Sequence, residues 1–175
     1  HLTLPEDAQE VVAAWIQDDT PLGDPDDAPD PVVIATELPD PDFVLAMPEP
    51  YAPVFADEEN PGNEYRCFVI DPGEASGKFI TALAPELGAP ELVHHIVLFR
   101  IDPEDLREGD LDPQGYDCID RMGGSAIGGM VAAWAPGMLP LELPEGTGIE
   151  IAEGSLLVMQ MHYFANGGAP GEVSD

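Results

Sequence analysis

The sequence predicts an all-β fold, an antiparallel β-sandwich or jelly roll preceded by a short N-terminal helix and a Pro/Asp-rich arm. From Tyr65 onward, six short runs rich in Val, Ile, Phe and Tyr (YRCFVI, KFITALA, HHIVLFRI, MVAAWA, GIEIA and SLLVMQMHYF) are separated by clusters of Gly, Pro, Asp and Asn. No long helical pattern intervenes between these runs, which argues against parallel crossovers and for sheet packed on sheet. A chain of 175 residues with 44% hydrophobic side chains is also long and apolar enough to bury one core.

The elements follow in order. Residues 1–23 form an N-terminal helical segment: in LPEDAQEVVAAWIQ, Val11, Val12, Trp15 and Ile16 recur at helical spacing, with Pro5, Glu6 and Asp7 suited to a first turn. Residues 24–60 read as a linker or arm, because repeated X-Pro steps push the backbone extended and the aspartates keep it solvated. Those aspartates lack the D-x-D-x-D-G spacing of a calcium loop, so a solvated tract is expected. Residues 61–175 carry the strands, and Gly123, Gly124, Gly128 and Gly129 punctuate the stretch before Trp134 as loop or bulge positions.

The charge balance excludes two function classes. Thirty-five Asp and Glu face five Lys and Arg, for a formal net charge of -30. Such a surface repels phosphate backbones and anionic headgroups, so neither a nucleic-acid partner nor a membrane-surface partner is expected. The acidity also fits a solubility adaptation of the kind a salt-rich habitat favours. The chain lacks an apolar run of membrane-spanning length and a signal-peptide pattern, and it reads as a mature or trimmed segment. Cys67 and Cys118 are enough for one bridge in an oxidising compartment, and equally fit two buried thiols.

The candidate chemistry lies in the histidines. Of the four, His94, His95 and His162 fall inside apolar strand patterns, HHIVLF and MQMHYF. A buried imidazole has two ring nitrogens to satisfy, and one ion shared among three rings does so, as do ordinary hydrogen bonds to backbone carbonyls. Strand alternation puts His95, Val97 and Phe99 on one face and His94, Ile96 and Leu98 on the other. Both neighbours reach one ion only where alternation breaks, at a strand start or bulge, for which Pro90 just upstream makes room. On the second strand, Gln160 shares a face with His162, while Met159 and Met161 point away and are expected to pack in the core. Three imidazoles without a carboxylate suit copper or zinc, with copper favoured by the affinity order.

Five motifs then carry a resemblance. YRCF (Tyr65 to Phe68), VHHIVLF (Val93 to Phe99), CIDRMGG (Cys118 to Gly124), AAWAPG with LPEGTGIEI (Ala132 to Ile151) and LLVMQMHY (Leu156 to Tyr163) occur in the order seen in copper type II, ascorbate-dependent monooxygenases. The chain resembles the N-terminal copper domain of that family, which includes the peptidylglycine α-hydroxylating and dopamine β-monooxygenases. The resemblance implies a jelly-roll sandwich, one copper ion on His94, His95 and His162, and a periplasmic or secreted location. It also implies a Cys67–Cys118 disulfide, worth about 4 kcal/mol by loop closure over roughly 50 residues. Tyr65 and Gln160 fall beside the ligands in these motifs and are expected to tune the site.

In the family this copper stores and delivers an electron, and oxygen activation and C–H hydroxylation take place at a second copper on a following domain. The partners implied are therefore a downstream second copper domain and an electron donor such as ascorbate or a haem domain. On that basis the present chain alone is expected to bind and cycle copper without hydroxylating a substrate. Residues 4–27 also resemble the closing helix of a small c-type haem domain, but C-x-x-C-H is absent and no haem is expected in this chain. His1 combines an imidazole with an α-amino group that together suit copper, but a truncation remnant is the preferred reading. The competing readings are a non-catalytic copper-binding or redox protein, a metal-free β-sandwich module, and a zinc hydrolase.

Overall fold

The structure, a computed structural model, describes residues 4–28, 37–56, 59, 61–118 and 129–165. His1, the arm residues 29–36, the glycines at 123, 124 and 128, and residues 166–175 lie outside them. The chain divides into two units, residues 1–33 and 34–175.

In the first unit, helix α1 spans Glu6–Gln17, with Pro5 at its N-cap and Glu6 and Asp7 in the first turn, where carboxylates favour the helix dipole. The helix closes when the Asp18 and Thr20 amides bond the Ala14 and Trp15 carbonyls, with Asp19 and Thr20 at positive φ. Its apolar residues Val11, Val12, Trp15 and Ile16 are all exposed.

The second unit is all-β. Its strands are β1 (Asn63–Ile70), β2 (Phe79–Ile80), β3 (Ala82–Leu83), β4 (Val93–Ile101), β5 (Tyr116–Asp117), β6 (Met130–Trp134), β7 (Leu141–Glu142), β8 (Ile149–Glu150) and β9 (Leu156–Phe164). A five-stranded antiparallel sheet runs β5-β1-β9-β4-β6, and two small sheets pair β2 with β8 and β3 with β7. The run KFITALA is thus divided between β2 and β3, and the two-residue strands β5 and β7 lie outside the six runs legible in the sequence.

Both faces of the large sheet are covered, which explains why its central strands are apolar in both registers. On one face Phe68, Met161 and Tyr163 pack with Leu92, Val93 and Ala89, while Ile70 and Leu157 meet Ile80, Leu83, Leu141 and Ile149 of the small sheets. On the other face Cys67, Val69, Val158 and Ile101 gather round Cys118. Complete burial of Phe68, Leu157 and Val158 contributes roughly 1.5–3 kcal/mol each.

The segment ahead of β1 joins this core. Met47 and Tyr51 are buried against Phe68 and Tyr163. Tyr51 donates a hydrogen bond to Glu64, whose other oxygen accepts from the Val54 amide, and the Arg66 guanidinium lies over the Tyr51 ring. Burial foremost, then the Glu64 carboxylate, push the Tyr51 hydroxyl above its ordinary pKa, so it stays a donor. The packed body therefore extends upstream of residue 61, because Met47 and Tyr51, with Phe55 beside them, find a place against the sheet.

Cys67 and Cys118 form a disulfide that closes a loop of 51 residues. The bridge ties β1 to the chain just past β5, where the Cys118 amide also bonds the Tyr65 carbonyl. Gly115 sits in the same corner at φ +68°, where a Cβ would come within 2.6 Å of the Cys67 carbonyl oxygen. Replacing both cysteines with alanine is expected to lower the unfolding free energy by about 4 kcal/mol. Urea unfolding measures this, and an unchanged midpoint would show that the bridge constrains nothing.

Candidate metal centre

Three rows of side chains cross the face of the large sheet that carries the disulfide. The register aligns Tyr65, His162 and His95 across β1, β9 and β4; the next row is Cys67, Gln160 and Val97, and the third is Val69, Val158 and Phe99. His162 and His95 are cross-strand neighbours, close enough for their side chains to meet. Met161 faces the opposite side, buried in the other core layer, with Met159 packed there too, as alternation requires.

His94 joins the other two rings because the alternation breaks. Val93 pairs with Tyr163 and His95 pairs with His162, so two steps along β4 match one step along β9 and His94 is the extra residue of a bulge. The Phe164 amide reaches past it to the Leu92 carbonyl at 2.8 Å, which anchors the strand ends on either side. A regular strand would have sent His94 to one face and His95 to the other.

The three rings form a compact donor set. The Nδ1 atom of His95 lies 3.2 Å from Nδ1 of His94 and 3.2 Å from Nδ1 of His162. One ligand atom from each ring lies within 4.8 Å of the others, and among the described residues no carboxylate or thiolate joins the group. His162 is buried, His95 half-buried and His94 exposed, so the site sits at the rim of the sheet.

The surroundings orient the rings. Tyr65 stacks on His162 with centroids 4.1 Å apart and planes 7° from parallel. Gln160, itself buried, hydrogen-bonds the His95 ring and sends its amide towards the Cys118 sulfur. Asn63 Oδ1 lies 2.8 Å from Nε2 of His162. Asn63 was not among the residues singled out in the sequence; its signal is position, two residues ahead of Tyr65 and so on the same strand face.

This donor set fits a metal ion. The outward nitrogen of His162 has an acceptor in Asn63, so its inward Nδ1 presents a lone pair towards His95, and converging lone pairs at about 3 Å repel unless a proton or a cation sits among them. A second proton on the His162 or His95 ring is disfavoured here. Burial foremost, then the neighbouring His95 and His94 rings, lower the His162 pKa to about 4, and burial followed by His94 lowers that of His95.

The unfolded chain protonates these imidazoles near pH 6.5, whereas the folded, metal-free domain resists. The unfolded state binds more protons between those values, so their contribution to stability is complete above about pH 6.5 and is lost as pH falls towards 4. Comparing wild type with His162→Gln by urea unfolding at pH 7 and pH 5 isolates this contribution from the carboxylates. The metal-free wild type is expected to lose more stability than the variant on acidification, and equal losses would refute the shift.

The family model for the copper type II ascorbate-dependent monooxygenase N-terminal domain matches residues 55–168. That span contains every strand of the described residues, the disulfide and all three clustered histidines. No curated protein and no solved structure gives a match. Sheet, cysteine bridge and imidazole group all lie within a match that covers more than half of the chain, which belongs to the copper type II ascorbate-dependent monooxygenase family and carries its N-terminal domain.

Proposed function

We propose that His94, His95 and His162 hold one copper ion and that this domain is the electron-storing half of a monooxygenase that hydroxylates a C–H bond with O2. The observation that carries this reading is the convergence of three Nδ1 atoms at the bulge, within the matched span. Copper bound there would supply a one-electron couple between Cu(I) and Cu(II). An all-imidazole set suits both oxidation states, since it is neutral and borderline in softness.

The chain's own residues account for the remaining requirements. Tyr65, Gln160 and Asn63 hold the rings so that little side-chain rearrangement accompanies electron uptake or loss. His94, the exposed ring, offers an edge through which an electron donor such as ascorbate or a haem domain reaches the site. Hydroxylation itself falls to a second copper domain in this reading, which rests on the match to the family's N-terminal domain. The disulfide, and the absence among the described residues of a helix long and apolar enough to cross a membrane, fit a periplasmic or secreted protein.

Titration of the purified chain is expected to show one copper per chain. His162→Ala is expected to weaken binding by more than about a hundredfold, beyond the loss that accompanies removal of a ligand's hydrogen-bond partner. Absence of binding by the wild type would return the domain to a metal-free sandwich. Electron paramagnetic resonance of the protein as isolated separates copper from zinc, and a silent sample that contains stoichiometric zinc would favour a hydrolytic or structural site. The loaded chain is expected to accept an electron from ascorbate and to hydroxylate a substrate only when the second copper domain is supplied. Turnover by this chain alone would contradict the assignment.

A further inference from the structure

The contact behind His162 does more than hold the ring. Asn63 opens β1, directly after Gly62, whose positive φ of 77° turns the chain and whose carbonyl accepts from the Ala165 amide at 2.9 Å. The start of β1 is thereby fastened just past the end of β9, three residues beyond His162. The Asn63 side chain makes two hydrogen bonds, and together they fix which end of the amide faces the ring. Nδ2 donates to the Pro61 carbonyl at 3.2 Å, leaving Oδ1 at 2.8 Å from Nε2 of His162. The reverse orientation would set two carbonyl oxygens against each other at Pro61, so the hydrogen-bond network selects the amide orientation.

An oxygen acceptor at Nε2 requires the ring proton there. A neutral imidazole carries only one such proton, so Nδ1 of His162 is left as a bare lone pair pointing into the group. We propose that Asn63 is a positioning residue that fixes the tautomer and plane of His162 and, as a neutral acceptor, keeps the bound copper's reduction potential higher than a carboxylate there would. The inference rests on the copper reading for its second half only.

The choice of amide is informative against the composition. A carboxylate behind a metal-bound imidazole makes the ring a stronger donor and favours the more highly charged ion. Thirty-five of the chain's residues are Asp or Glu, yet the position in hydrogen-bond contact with the buried ligand is uncharged. A centre that must give its electron up and take it back gains from a ligand field that does not overstabilise Cu(II). Asn63 has Tyr65, which stacks on the same ring, two residues away on the same face of β1, so one strand both clamps the imidazole plane and sets its proton.

Two measurements test this separately. In the metal-free protein, nitrogen-15 ring shifts of His162 are expected to show the proton on Nε2, and Asn63→Leu is expected to give a mixture of both tautomers. A proton on Nδ1 in the wild type, or an unchanged tautomer in Asn63→Leu, overturns the positioning role; the wild-type spectrum decides even if the variant misfolds. In the copper-loaded protein, Asn63→Asp is expected to raise the ratio of Cu(II) to Cu(I) affinity by about tenfold, a fall of about 59 mV in potential. A structural role alone would alter the stability of both variants and leave the potential where it was, and that result overturns the tuning role. Should the chain bind no copper, the copper reading and the tuning role fall together, while the tautomer experiment still decides what Asn63 does.

Discussion

One extra residue in strand β4 governs the site. Two adjacent residues of a pleated strand project to opposite faces, and adjacent histidines in regular β-structure cannot share an ion. The bulge between Val93 and His95 removes that restriction for His94 while the strand on either side keeps its pairing. Val93 remains in the core with Tyr163, and from His95 onward the register places Val97 and Phe99 on the face of the disulfide. The interruption of the β4–β9 ladder is confined to one residue, and its consequence is a three-imidazole group at the rim of the sheet.

The sheet beneath the group has little freedom to adjust. Tyr65 and His162 are stacked, the Cys67–Cys118 bridge lies one row below, and Gln160 stands between that bridge and Val97. Two buried layers flank the sheet, so a shift of β1 or β9 would open a cavity in one layer or force an overlap in the other. Under the proposed copper reading this rigidity has a use, since ligands that already suit both oxidation states need not move between them.

Short apolar runs between turn clusters made the long strands legible, because HHIVLFRI and LLVMQMHYF pack on both faces. Strand alternation exposed the difficulty at His94 and His95 and named its remedy, a bulge. The two-residue strands β5 and β7 left no such trace, since a pair of residues has no period and they owe their pairing to neighbours already in place. Met47 and Tyr51 were hidden by the Pro- and Asp-rich stretch around them, where local composition says extended and solvated but burial against Phe68 decides. Asn63 was invisible for a different reason: an asparagine at a strand start is usually a turn residue, and only the distance to His162 gives it another role.

The central claim is that the residue displaced by the bulge ligates the same ion as its two neighbours. X-ray absorption fine structure at the copper edge measures this directly, because each bound imidazole contributes outer-shell scattering. The geometry predicts three rings around copper in the wild type and two in His94→Ala. Two rings in the wild type, with a spectrum unaltered by His94→Ala, would show that the exposed histidine stands aside and that the bulge does not build the site.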